Sequence, residues 1–242
     1  MLYSRLHQIA FAHYPKTAGS SIARWFQRAF PDARWIDKRH PHLEVRKALG
    51  RLSAGHSLPP LERLRYAMRP SQWLPTVHVD CKLPQTLRIF GVVRSPLELI
   101  VSLYEFWRRN QSHRHSRNDP FIRAAGQGSF STFLNECLLS KRLKRYESFF
   151  DVGGVAWPRT RLIHFDHLES GLRQVLDGFG IDVAIDIPRV NCADKDAGRQ
   201  AHYEALAQPF LADIQRHFRW YYQSLDSFAG GRQRISLDRR VA

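Results

Sequence analysis

Two basic residues in this chain are spaced for chemistry on a doubly anionic ligand. Lys16 follows Pro15 and opens the run Lys16-Thr17-Ala18-Gly19-Ser20-Ser21. Small residues let backbone N–H groups turn inward, a helix start adds partial positive charge, and the lysine adds a full one. Together these make a cradle for a phosphate or a sulfate. The order is not that of the Walker A loop, where lysine follows the second glycine. The other residue is Arg94, in Val93-Arg94-Ser95-Pro96. Ser102 comes about two helical turns after it. A guanidinium fork and a hydroxyl on one side of a helix suit a second phosphate. A nucleotide with phosphates at both its 5′ and 3′ positions fits the two grips.

Each grip needs a strand to launch it and a helix to follow it. Residues 6–14 have β character, and residues 20–30 carry Ile22, Trp25, Phe26 and Phe30 at helical spacing. Arg88 to Val93 reads as a second buried strand, and Pro96 suits the first turn of a helix bearing Leu99, Ile100 and Leu103. A third core strand is expected over Arg161 to Phe165, with Asp166 capping a helix from His167 to Phe179. The remaining pattern gives a short strand at 34–36, a helix over 43–49 closed by Gly50, a loop over 51–60, a helix over 60–68, β character at 76–81, a helix over 129–139 and mostly helix over 199–227. Residues 110–118 are polar and basic, suited to a loop over the site, and the tail 229–242 is arginine-rich and expected to fray. His113 and His115 lack nearby carboxylate or thiol partners for zinc, and no metal is expected. Strands alternating with helices predict an α/β fold. It is read as a single three-layer domain over 1–228, with a central, mostly parallel sheet flanked by helices. Ligands of such sheets bind beyond the carboxyl ends of the strands, where Lys16 and Arg94 both fall.

Composition bounds the partners more than the chemistry. The 242 residues, 43% hydrophobic, are enough for one large α/β domain. A formal net charge of +15 points to an anionic partner without choosing among nucleotide, acidic glycan, nucleic acid and membrane surface. Cys81, Cys137 and Cys192 form neither a zinc spacing nor a disulfide framework, so a reducing compartment is expected. The first residues lack the apolar region of a signal peptide, and no apolar run is long enough to cross a bilayer.

Four stretches share a family likeness. Tyr14-Pro-Lys16-Thr-Ala-Gly19-Ser-Ser21 resembles the 5′-phosphosulfate loop of the P-loop-like sulfotransferases that use 3′-phosphoadenosine 5′-phosphosulfate (PAPS). Val93-Arg94-Ser-Pro96-Leu-Glu98-Leu-Ile-Val-Ser102-Leu-Tyr104 resembles their 3′-phosphate motif, with Leu99 where a common form has arginine. Leu162-Ile-His-Phe-Asp166-His-Leu168-Glu169, with Asp166 where glutamate is usual, and Val190-Asn191 are similar to the same family. The resemblance covers most of residues 6–225. It implies the P-loop NTPase-like sulfotransferase fold, in the bacterial or carbohydrate-sulfotransferase-like branch.

The resemblance also implies sulfuryl transfer. An acceptor hydroxyl or amine attacks sulfur in line and adenosine 3′,5′-bisphosphate leaves. Pro15, Lys16, Thr17, Ala18, Gly19, Ser20, Ser21, Arg94 and Ser102 would hold the donor. Lys16 would also stabilise charge on the bridging oxygen. A histidine between the motifs would take the acceptor proton: His42 first, then His40 and His56. His13 is expected to be structural. The expected acceptor is a saccharide or glycolipid, with peripheral membrane contact allowed, no specific nucleic acid and a cytoplasmic, bacterial setting. Two other classes stay open. One is a P-loop-like kinase of nucleotides or small molecules; the other is a non-catalytic module that binds polyanions.

Overall fold

A computed structural model describes residues 1–57, 86–110, 119–139, 143–154, 156–190 and 197–228. Its strands are β1 (Leu2–Ser4), β2 (Ile9–Ala12), β3 (Arg34–Trp35), β4 (Arg88–Val93) and β5 (Thr160–His164). The helices are α1 (Gly19–Ala29), α2 (Val45–Ser57), α3 (Pro96–Arg109), α4 (Pro120–Gln127), α5 (Phe130–Leu139), α6 (Tyr146–Phe149), α7 (Leu168–Gly178), α8 (Ala197–Ala207), α9 (Leu211–His217) and α10 (Arg219–Gln223).

The strands form one open sheet in the order β3-β1-β2-β4-β5. β2, β4 and β5 are parallel, while β1 runs antiparallel to both its neighbours. The sheet is therefore mixed, not simply parallel. The reason lies at residues 5–8, where the chain turns back on itself with Gln8 at φ 50°. What reads as one strand over 6–14 is a turn followed by the shorter β2, and the preceding Leu2–Ser4 is its hairpin partner.

Alternation along the strands sorts side chains to two faces. Ile9, Phe11, Phe90, Val92 and Ile163 join α1 and α7 through Ile22, Phe26, Leu172 and Leu176. Ala10, Ala12, Ile89, Val93 and Leu162 join a larger layer that includes Leu99, Leu103, Phe133 and Phe218. Helices thus cover both faces. The extended segment 181–190 lies along α1, where Trp25 Nε1 donates to the Ala184 carbonyl at 2.9 Å.

Several boundaries differ from the pattern. Gly50 does not close a helix, because α2 continues through it to Ser57 and residues 51–57 are helical. Asp166 does not cap α7, since Phe165–His167 form a tight 3₁₀ turn and α7 starts beyond it without a side-chain cap. α4 starts on two strong signals: Pro120 in its first turn and the Asp119 carboxylate accepting from the Phe121 N–H at 3.0 Å. The expected helix over 60–68, the β segment at 76–81, most of the 110–118 loop with His113 and His115, Asn191 and the tail 229–242 lie outside the described residues.

Gly91 shows how closely β4 is packed. A Cβ there would lie 2.3 Å from Cε1 of Phe150, a buried ring. Gly91→Ala is therefore expected to lower stability by about 1–3 kcal/mol, the usual range for overpacking. Urea unfolding followed by circular dichroism measures it.

Candidate anion-binding site

Parallel pairing decides where the two cations emerge. Ala12 of β2 pairs with Gly91 of β4, and Val93 of β4 pairs with His164 of β5. The three strands end at one edge of the sheet. Lys16 and Arg94 leave from that edge.

The Lys16 loop is held from below. Thr17 is fully buried, and its hydroxyl donates to the Tyr14 carbonyl at 3.0 Å. The Tyr14 hydroxyl, also buried, donates to the Lys144 carbonyl. Lys16 and Ala18 both sit in the left-handed region, at φ 61° and 58°. For residues with a Cβ this costs roughly 1–2 kcal/mol each. Ala18 stands at the N-cap of α1 and supplies no side-chain hydrogen bond, and the first turn of the helix has no acid. The opening N–H groups of α1 thus have neither a capping oxygen nor a carboxylate. Gly19 is required here, because a Cβ would fall 1.6 Å from Nε2 of the buried His13 ring.

The cations meet across this edge. Lys16 Nζ lies 4.3 Å from the centre of the Phe106 ring, and it has no carboxylate partner among the described residues. Partial burial lowers the Lys16 pKa from its ordinary value, and the charges of Arg94 and Arg109 lower it further. Arg94 is fixed from three sides. Its Nε donates to Glu98 Oε2 at 3.2 Å, its guanidinium lies 4.4 Å from the Phe165 ring centre, and its backbone is clamped by Tyr146. The Tyr146 hydroxyl donates to the Arg94 carbonyl at 2.8 Å and accepts from the Arg94 N–H at 3.1 Å. The two terminal nitrogens of Arg94 have no partner among the described residues and stay free as a fork.

One stripe of α3 links the grips. Glu98, Ser102 and Phe106 follow at four-residue steps, with Arg109 three further on, so they share a face. Ser102 lies between the partner of Arg94 and the partner of Lys16, and its hydroxyl makes no hydrogen bond among the described residues. Leu99 is buried in the core, so an arginine there would face away from this stripe.

The other expected site residues divide. Pro15 and Ala18 are half-buried in the loop, and Ser20 is exposed in the first turn of α1. Ser21 is already engaged, its hydroxyl accepting from the Val190 N–H at 3.2 Å. Thr17 can offer a ligand only its main chain, since its hydroxyl is spent below the loop.

His42 reaches the site edge. Its Nδ1 lies 3.1 Å from the His13 carbonyl, and its ring centre is 4.3 Å from that of His13. Part of the ring meets solvent, yet the chain crowds the rest. That loss of hydration, with the nearby Lys16 charge, holds its pKa below the ordinary value despite the hydrogen bond. His40 instead points to Asp37, 3.0 Å away, in an exposed loop. The side chain of His56 lies outside what the structure describes. His13 is buried, its ring stacked on Phe11 and close to those of Trp35 and His42.

Three contributors escape a reading by motif. Phe106 and Phe165 sit at recognisable places, near the end of α3 and just after β5, but both read as core. Tyr146 lies 52 residues from Arg94 and carries no local signal. No protein-family model matches the chain, and no curated protein matches it.

His13 ties this edge to acidity. Burial, and then repulsion from His42, push its pKa down to about 2. Its neutral form therefore supports the fold fully above the unfolded histidine value of about 6.5, and that support is lost as pH falls from there towards 2. His13→Phe removes the titration. Stability measured by urea unfolding between pH 6.5 and 4 is expected to fall less steeply in the variant, by up to about 1.4 kcal/mol per pH unit.

Proposed function

We propose that this protein is a sulfotransferase that moves a sulfuryl group from PAPS to a hydroxyl or amine of a saccharide or glycolipid acceptor. The observation that carries it is that Lys16, with no carboxylate partner among the described residues, and Arg94, whose terminal nitrogens have no partner among them, follow neighbouring parallel strands at a helix start without a side-chain cap. A ligand with anionic groups at two separated points suits them. Adenosine bisphosphate nucleotides have that form, and the resemblance of both loops names the same ligand.

In this reading each group has one task. The α1 N–H groups and Lys16 accept the charge that builds on the oxygen leaving sulfur. Arg94 and Ser102 hold the 3′-phosphate and fix the nucleotide's register. His42 takes the acceptor proton. Its lowered pKa keeps the ring neutral at pH 7, as a base must be, and the His13 carbonyl fixes which nitrogen faces outward.

Calorimetric titration with adenosine 3′,5′-bisphosphate tests the donor site. Lys16→Ala and Arg94→Ala should each weaken binding at least about 10-fold, the size of a lost charged hydrogen bond. A wild-type protein that ignores this nucleotide and binds ATP with Mg²⁺ would instead support the kinase class.

Transfer from labelled PAPS to a panel of glycans and glycolipids tests the base. His42→Ala is expected to lower kcat about 100-fold or more, with nucleotide affinity unchanged. In the wild type, the acid limb of the pH–rate profile should have its midpoint below the ordinary histidine value of about 6.5. His40→Ala should change neither.

A further inference from the structure

We infer that Phe106 is a positioning residue for Lys16. Its ring holds the ammonium at the site edge without neutralising it. The consequence for nucleotide binding rests on the sulfotransferase reading; the contact itself does not.

Phe106 is half-buried on α3, yet among the described residues it packs into neither core layer. Its ring meets Trp107 edge-on at 4.8 Å and lies under Lys16 Nζ at 4.3 Å. For a large apolar ring that fills no core among the described residues, the cation above it is the contact that accounts for its place. The face of an aromatic ring carries negative potential and attracts an ammonium.

A carboxylate would attract Lys16 more strongly, but it would cancel the charge and repel an arriving phosphate or sulfate. The ring does neither. It also answers a specific difficulty. Arg94 and Arg109 on α3 bear on Lys16 with like charge, and Lys16 in turn bears on His42. That repulsion, acting on a flexible four-carbon stem, favours an ammonium turned out to solvent. The ring surface gives it one place to stay. Phe106 stands about two turns after Glu98, the partner of Arg94, on the same stripe of α3.

The experiment compares Phe106→Leu, which keeps apolar bulk, with Phe106→Trp, which keeps a π face. The first readout is the Lys16 titration, followed by NMR in protein carrying ¹³Cε-labelled lysine and assigned with Lys16→Ala. In Phe106→Leu the midpoint should fall by about half to one pH unit, since a partner of the charged form is gone. In Phe106→Trp it should return to the wild-type value. The second readout is the Kd for adenosine 3′,5′-bisphosphate, expected to rise about 3- to 10-fold in Phe106→Leu and to be unchanged when the same substitution is made in Lys16→Ala protein. An unmoved Lys16 midpoint in Phe106→Leu overturns the inference, as does equal weakening in both backgrounds. Should the wild type bind no nucleotide, the sulfotransferase reading falls, while the Lys16 titration still judges Phe106.

Discussion

Like charges placed together in a half-buried crevice repel, and folding must hold them there. Lys16 and Arg94 leave adjacent parallel strands and feel one another's charge, with Arg109 close by. Three devices keep the arrangement. The Arg94 backbone is fixed by both hydrogen bonds of the buried Tyr146 hydroxyl. Its side chain leans on one acid through Nε and on the Phe165 face, which leaves the fork open. Lys16 leans on a ring and, among the described residues, on no acid. A fully paired site would be more comfortable for the empty protein and less useful to an anion.

The loop beneath Lys16 follows the same logic. Two non-glycine residues in the left-handed region together cost roughly 2–4 kcal/mol, and such strain persists only where the surroundings over-determine it. Here they do. Buried Thr17 and Tyr14 anchor the loop from below, and the His13 ring fills the space that a side chain at position 19 would need. Holding strain and like charge in one place asks for a stiff base. The two-sided apolar packing of β2 and β4 supplies it.

Much of this was legible in the chain, and the failures have physical causes. Runs of apolar residues ending in Lys16 and Arg94 marked β2 and β4, because a strand buried on both faces leaves a continuous apolar signal. β1 was missed because three residues carry too little pattern, and its turn holds no glycine or proline to mark it. Gly50 misled for a different reason: glycine weakens a helix by only about 1 kcal/mol, and tertiary packing overrides that. That Lys16 and Arg94 follow neighbouring parallel strands could be read, as could the place of Ser102 on one stripe of the helix after Arg94. Their supports could not. Phe106 and Phe165 look like core until the fold shows what lies above them, and the Tyr146 clamp is a long-range contact with no local trace.

Net charge is a poor guide to this site, and the contrast with other ion pairs shows why. Arg216 and Asp213 at 2.8 Å, and Lys47 and Glu44 at 3.2 Å, are exposed or partly exposed pairs. Surface pairs of this kind contribute about 0–1 kcal/mol and fade with salt. Lys16 differs in kind. It has lost part of its water and has gained no counter-charge among the described residues, three residues before a helix start that has no side-chain cap. An anion placed beside Lys16 would supply the counter-charge it lacks among the described residues, and in this half-buried setting the attraction would exceed what the same charge would offer on the open surface.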